Sequence, residues 1–249
     1  MKLSYCLPVA IIIASGIISC KKNDVKSKSL ASLNVINAVN GGSCVKLNTN
    51  ERDSAEIYNA KVFGLDTEDG TIKLYSTNDP SKPYYFQQHE LKNRGTYSMF
   101  LFGDAGVPES LFVEENIPAR YTDSIFGIRI INLASGSEPL NIARESDPQT
   151  NVFTEVGYKE MTDIVIFPLP YITDAPEYSE LQKTVNFEVR DAEGVILTTY
   201  QLPVDENGFY SGISINKQRF KNITLVIKGI AGVTDGPDAF GVFPVALSY

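Results

Sequence analysis

The feature that most constrains the fold is a succession of short apolar runs, each broken after a few residues by a turn cluster. Ile72 and Leu74, for example, share one face of an extended chain. Lys73 and Tyr75 share the other. This period of two is typical of β-strands that pack on one side, and the glycine, asparagine and aspartate in the breaks favour tight turns. No stretch keeps a helical period over several turns, so the pattern predicts an all-β protein.

A weak internal repeat relates the two halves of the chain. Asn37 aligns with Asn132 and Gly41 with Gly136, a constant shift of 95 residues. A period of about domain size indicates two similar domains rather than a solenoid, and many short strands indicate β-sandwiches. Each asparagine ends a predicted strand, where its side chain is expected to cap the following turn. The predicted strands occupy residues 33–39, 45–47, 59–65, 71–75, 84–91, 96–103, 111–117, 127–133, 152–156, 164–168, 184–190, 195–202, 210–215, 223–230 and 240–247.

The N-terminus has the pattern of a secretory signal. Twelve residues at 7–18 form an apolar run behind Lys2. A membrane-spanning helix needs about 20 apolar residues, so this run is too short to cross. Its end, with Ser19 before Cys20, resembles the bacterial lipobox, in which a peptidase cuts before a lipid-modified cysteine. We therefore expect Cys20 to carry a multi-chain lipid anchor; the alternative is an ordinary cleaved signal with an incidental cysteine.

Charge is distributed unevenly along the chain, whose net charge is −8. Residues 20–31 carry +3, whereas the two predicted domains carry −5 and −7. Nucleic-acid binding is disfavoured because it requires a basic footprint. The lysines of the tether either keep a disordered segment soluble or lie against anionic lipid headgroups. The predicted organisation is a lipoprotein signal peptide at residues 1–19, a basic tether at 20–31, and β-sandwich domains at 32–123 and 124–249.

Residues suited to catalysis are few. His89 is the only histidine, which argues against His/Cys zinc sites and Ser-His-Asp triads. Paired carboxylates could hydrolyse glycosides, but Arg190 stands where a second acid would follow Glu188. Glu114 and Glu115 point to opposite faces of a strand. We therefore predict a protein that is not an enzyme and has no cofactor, with an envelope glycoside hydrolase as the alternative.

Acidic loops and cysteines offer little further chemistry. Cys44 is the only cysteine left besides Cys20 once the signal is removed, so the mature chain cannot form an internal disulfide. Several loops are rich in oxygen ligands but lack the spacing of a calcium loop, and we interpret them as solvated turns rather than metal sites. These loops contain Asp66, Glu68, Asp69, Asp205, Glu206, Asn207, Asp235 and Asp238.

Two weaker candidate sites concern glycans. Tyr84, Tyr85 and Phe86 could offer aromatic faces to sugars or peptides, although strand alternation places at least one of them in the core. Ser54 and Ser124 each lie between an aspartate and an apolar residue. This pattern resembles the acceptor motif of a general O-glycosylation system found in certain bacteria. Both serines fall in predicted loops. The sequence therefore gives one candidate ligand surface and two candidate modification sites.

Several motifs together resemble a known family. They are residues 128–133 (IRIINL) followed by Gly136, Pro139 and Asn141, together with the segments GTYS at 95–98 and ENIPAR at 115–120. They resemble Bacteroidota-type cell-envelope lipoproteins catalogued as domain of unknown function 4397. The chain departs from that family at Ala134-Ser135, where serine and proline are usual. The resemblance implies immunoglobulin-like β-sandwiches in a lipid-anchored protein and no known catalytic residues.

The functional hypothesis combines these observations. We expect a lipid-anchored protein of the cell envelope, at the outer membrane, that acts as a non-catalytic binding or scaffolding module. Its partner would be an envelope protein or a glycan, and its exposure to the periplasm or the exterior stays open. A stalk that spaces another protein from the membrane is a structural variant of this hypothesis. A glycoside hydrolase would instead need a cleft with convergent carboxylates.

Overall fold

The protein is all-β over the part of the chain that the computed structural model describes, residues 28–48, 50–118, 121, 125–168, 184–203 and 221–247. The predicted signal peptide, Cys20, the predicted boundary at 123/124 and the predicted strand at 210–215 lie outside these residues. No helix that could cross a bilayer is present in the described ranges. The strands are β1 (Leu30–Asn37), β2 (Val45–Leu47), β3 (Asn59–Asp66), β4 (Thr71–Ser76), β5 (Pro83–Gln88), β6 (Thr96–Asp104), β7 (Val107–Glu114), β8 (Ile125–Asn132), β9 (Leu140–Arg144), β10 (Asp147–Val156), β11 (Val165–Pro168), β12 (Thr184–Arg190), β13 (Ile196–Pro203), β14 (Asn222–Lys228) and β15 (Gly241–Leu247).

The strands form two β-sandwiches, as the sequence predicts. In the first, a four-stranded sheet of order β3-β1-β6-β7 faces a three-stranded sheet of order β2-β4-β5. In the second, a sheet of order β11-β8-β14-β15 faces one of order β10-β9-β12-β13. Each sandwich has its own apolar core, which includes Leu33, Ile72 and Met99 in the first and Ile128, Phe187 and Leu225 in the second.

The internal repeat is visible in the topology. β1 and β8 begin 95 residues apart, and each pairs in parallel with a later strand, β6 and β14 respectively. The Asn37 side-chain oxygen accepts the Val39 amide at 3.4 Å, and that of Asn132 accepts the Ala134 amide at 3.2 Å. The expected asparagine caps are therefore confirmed. The Asn37 and Asn132 side-chain amides also donate to the backbone oxygens of Ala55 and Val156, respectively, which satisfies buried polar groups.

A third apolar layer lies between the two sandwiches. It is formed by the outer faces of the β1 and β8 sheets and contains buried Ile36, Ala38, Phe100, Phe102, Ile131, Leu133, Val226, Phe243 and Val245. Both faces of the central strands β1, β6, β8 and β14 are therefore covered. This explains why β6 reads as a nearly continuous apolar run and not as an alternating one. The molecule is a stack of four sheets with three apolar layers.

Equivalent positions of the two repeats meet at this junction. The Asn40 side-chain amide donates to the Ser135 hydroxyl at 3.1 Å, and the two residues are 95 positions apart. Strands β1 and β8 supply Ile36 and Ile131, which are likewise equivalent, to the same apolar layer. The apolar layer is thus partly symmetric, because equivalent residues of the two halves meet there within one chain.

Further polar contacts also cross the junction between the sandwiches. Arg129 donates to both carboxylate oxygens of Glu115, at 2.9 and 2.7 Å, and to the Thr224 hydroxyl at 2.8 Å. Elsewhere, the Asp238 carboxylate accepts the Tyr58 hydroxyl at 2.6 Å and the Gly41 amide at 2.9 Å. Burial, followed by that carboxylate, raises the pKa of Tyr58, which keeps its hydroxyl a donor.

Candidate binding surface

The three-stranded sheet of the first sandwich leaves one face uncovered by the other sheets. Strand β4 lies at its centre, between β2 and β5. Ile72 and Leu74 on β4 are fully buried against the core, whereas Lys73 and Tyr75 on the opposite face are half-buried. The alternation read from the sequence therefore continues through this sheet, and its second face is available to a partner.

Two residues from the flanking strands complete this face. Lys46 of β2 lies opposite Tyr75, and Phe86 of β5 lies opposite Lys73. The Phe86 side chain is 64 % exposed, a large fraction for an aromatic ring. The Lys73 ammonium lies 5.7 Å from the centre of the Tyr75 ring, within range of a cation–π contact. We call Lys46, Lys73, Tyr75 and Phe86 the aromatic–lysine face.

The aromatic–lysine face is positively charged within an acidic protein. The Lys46 ammonium donates to the backbone oxygen of Glu51 at 2.5 Å. Among the described carboxylates, none forms an ion pair with Lys46 or Lys73. By contrast, Lys61 and Lys92 each pair with an acid on a neighbouring element. Both lysines of the face therefore keep ammonium protons for an external anion.

The aromatic residues that the sequence singles out do not share a surface. Tyr85 is only 9 % exposed and its hydroxyl donates to the Gln87 side chain at 3.0 Å. Tyr84 is half-buried and packs against the first core. A β-bulge shifts the register between the Leu74–Tyr85 pair and the next pair of β4 and β5, so simple alternation does not hold through Tyr84. Of these three aromatic residues, only Phe86 is largely exposed to solvent.

Sequence reasoning missed the lysines as partners of the aromatic rings. The alternation of β4 already placed Lys73 and Tyr75 on the face away from the core. Their neighbours on β2 and β5 depend on strand pairing and register, which a single sequence does not reveal. The usable signal was the period of two in β4 together with that of β2, in which Lys46 stands between Val45 and Leu47.

His89 lies just beyond β5 in an aromatic cluster. Its ring centre is 4.0 Å from that of Phe112, and its Nε2 atom lies 2.5 Å from the Tyr85 hydroxyl. Burial lowers the pKa of His89, so the neutral imidazole is favoured at pH 7. The arrangement serves to fill the end of the first core with aromatic surface.

The carboxylates considered for catalysis are engaged with cations. Glu114 is exposed and pairs with Lys92, whereas Glu115 turns the other way to the buried Arg129, as strand alternation predicts. Glu188 is buried and pairs with Arg190 on the same face of β12. A glycosidase needs two carboxylates facing one sugar, and none of these acids is placed opposite another in that way.

The acidic loop at residues 66–69 forms a turn, whereas Asp238 of another such loop contacts Tyr58 and Gly41 instead. The Asp66 carboxylate accepts the Glu68 amide at 3.0 Å, and this contact, followed by that of Lys28, lowers the pKa of Asp66. Asp66 and Asp69 border an open cleft of about 240 Å³. The described residues contain no cluster of three or more ligands that could hold a metal ion. The loop at 205–207 lies outside them.

Of the two serines predicted to carry a glycan, one lies within the described residues. Ser54 lies half-exposed in the loop between β2 and β3. The neighbouring Asp53 carboxylate pairs with Lys61 at 2.9 Å, which holds this loop against β3. The exposure of Ser54 is compatible with a glycan. Ser124 lies outside the described residues. Both stay predictions.

Comparisons with known proteins give little beyond these observations. No protein-family model and no curated protein matches the chain. Among solved structures, the chain is similar to the tip fimbrial protein Mfa3 from Porphyromonas gingivalis with a C-terminal truncation, over 90 % of this chain and 100 % of that one, with a TM-score of 0.26 and 10 % identity. A score this low carries no argument about fold or function, so the proposals below depend on the residues described above.

Proposed function

We propose that the chain is a lipid-anchored, non-catalytic binding module of the cell envelope that contacts its ligand through the aromatic–lysine face. The observation that carries this proposal is the Phe86 ring, 64 % exposed and directly across from Lys73, which forms no ion pair with a described carboxylate. Aromatic side chains are enriched where proteins bind their partners.

The sheet stack supports a display role for this face. Four packed sheets, spaced by about 10 Å, place the two outermost layers roughly 30 Å apart. The aromatic–lysine face belongs to one of these outer layers. The apolar layer around Ile36 and Phe100 joins the two sandwiches, so the face is carried by a rigid body. A rigid scaffold lowers the entropy that is lost when a ligand binds.

The alternative function is a glycoside hydrolase of the envelope. It would need two carboxylates converging on a cleft, one with a raised pKa. Glu115 and Glu188, the buried acids of the described ranges, are instead held by Arg129 and Arg190. These pairings favour the binding module over the hydrolase.

Anchoring is tested by replacing the lipid-bearing residue. In the native host, we expect the full chain to partition into the detergent phase of Triton X-114 and Cys20→Ser to move to the aqueous phase. Cys44→Ser is the matched control, because Cys44 is the free cysteine of the described residues and should leave partitioning unchanged. Detergent-phase partitioning of Cys20→Ser would contradict the proposal.

Binding is tested on the surface itself. The purified full chain, in mild detergent, is run in native gels that contain single polysaccharides, neutral and acidic, and is mixed separately with washed envelope fragments. We expect retardation or retention that Phe86→Ala reduces. Val107→Ala is the control, since Val107 is 78 % exposed on a different sheet. If no polymer and no envelope fraction retains the protein, or if both variants behave alike, the binding role is refuted.

A further inference from the structure

We propose that the aromatic–lysine face binds an acidic polysaccharide, with sugar rings stacked on Phe86 and Tyr75 and sugar carboxylates paired with Lys73 and Lys46. The inference rests on the proposed binding function and adds the chemical class of the ligand.

The face consists of two aromatic–lysine pairs. On β2 and β4, Lys46 lies directly across from Tyr75. On β4 and β5, Lys73 lies directly across from Phe86. Residues directly opposite in an antiparallel pair have their side chains roughly 5 Å apart, close enough to contact one ligand group together. Each pair therefore presents one apolar ring and one ammonium side by side.

The second pair is displaced from the first along strand β4. Lys73 and Tyr75 are two positions apart on β4, so the pairs are offset by roughly 7 Å along the strand. A polymer of uronic acids repeats the complementary features: each unit has one pyranose ring with an apolar face and one carboxylate. The repetition on the protein therefore fits a repeating acidic ligand better than a neutral glycan, which would leave both ammonium groups without partners.

Charge complementarity favours the same ligand class. Across the described residues, the outward positions of these strands contain no carboxylate: they are Lys46 on β2, Thr71, Lys73 and Tyr75 on β4, and Phe86 and Gln88 on β5. The chain as a whole carries −8. The overall charge therefore disfavours contact of a polyanion with much of the surface, whereas this face offers it two lysines that form no ion pair with a described carboxylate.

The experiment compares two forms of one polymer. The purified full chain is titrated with polygalacturonate and with its methyl ester, which keeps the pyranose rings but removes their charge. We expect binding of polygalacturonate and an affinity at least tenfold lower for the ester. Binding should weaken as NaCl rises from 0.1 to 1 M, because the Debye length falls from about 10 to about 3 Å.

Variants separate the two features of the face. Lys73→Gln and Lys46→Gln should each lower affinity for the acid form severalfold while leaving any binding of the ester unchanged. Phe86→Ala should lower affinity for both forms. Lys82→Gln is the matched lysine control, because Lys82 is exposed and lies near Asp79 instead. Near-ultraviolet circular dichroism checks that each variant is folded.

Three outcomes would overturn the inference. Equal affinity for both polymers with no effect of the lysine variants would show a neutral-glycan site. Equal binding of dextran sulfate with no effect of Phe86→Ala would show charge attraction alone. Absence of binding to any acidic polysaccharide would exclude the ligand class. In the first and third cases the proposed binding function survives if another polymer or envelope fraction is retained through Phe86, so the two failures are distinguishable.

Discussion

Replacing Glu115 with alanine tests how the two sandwiches are held together. Its side chain is 2 % exposed and makes two hydrogen bonds to Arg129, whose own side chain is 7 % exposed. The substitution leaves a buried guanidinium with the Thr224 hydroxyl as its remaining described partner. Leaving a buried charge without its counter-ion is the costly event, much more than losing the attraction itself.

The expected cost follows from the burial of both partners. Breaking a buried ion pair on one side destabilises a protein by about 3–5 kcal/mol. For a protein of this size, 1 kcal/mol shifts the melting temperature by about 2–4 °C, so the shift should be roughly 6–20 °C. The double variant Glu115→Leu/Arg129→Met removes both charges and fills similar volume. It should therefore recover most of the loss.

Urea unfolding followed by circular dichroism measures these differences. The matched control is Glu114→Ala, since Glu114 is the adjacent residue but is exposed and pairs with Lys92. We expect its unfolding midpoint to equal that of the wild type. A loss below about 1 kcal/mol for Glu115→Ala, or additive losses in the double variant, would refute the reasoning that an uncompensated buried charge governs this site.

Three further substitutions test the core and the pH response. Phe100→Ala, in the layer between the sandwiches, should cost about 3–5 kcal/mol in urea unfolding because the ring is fully buried; a near-neutral result would mean that the layer is loosely packed. Ser98→Ala should be neutral or stabilising by about 1 kcal/mol in the same assay, because the buried Ser98 hydroxyl has no hydrogen-bond partner among the described residues, and a clear loss would reveal one. The depressed pKa of His89 means that the unfolded chain binds the proton more readily, so stability should fall as pH drops below about 6.5. His89→Gln should flatten that part of the pH–stability profile, and an unchanged slope would exclude His89 as its source.

Local features of this fold were predictable from the sequence. Asn37 and Asn132 were expected to cap the turns after their strands, and they do, because an asparagine reaches a backbone amide two residues on without help from the rest of the fold. The alternation of β4 likewise identified its outer face through Lys73 and Tyr75. Such signals are visible because cause and effect lie within a few residues.

Features that depend on distant pairing were not predictable. The apolar run of β6 indicated burial, but not that Phe100 and Phe102 would face a second sandwich while Met99 and Leu101 face the first core. The bulge in β5 separated Tyr84 from the alternation that a regular strand would give. The partner of Arg129 also could not be read from spacing. Each outcome depends on which strands meet and in which register, information that lies in tertiary structure.

The apolar junction between the repeats has a practical consequence for dissecting the molecule. Separating the two halves would expose the apolar face of one sheet on each fragment, including Phe100 on the first and Phe243 on the second. Because each exposed sheet face is strongly apolar, a lone half is expected to associate with other copies of itself or to precipitate. Measurements on isolated halves would thus report on a non-native association. Stability and binding are therefore to be measured with both halves in one chain.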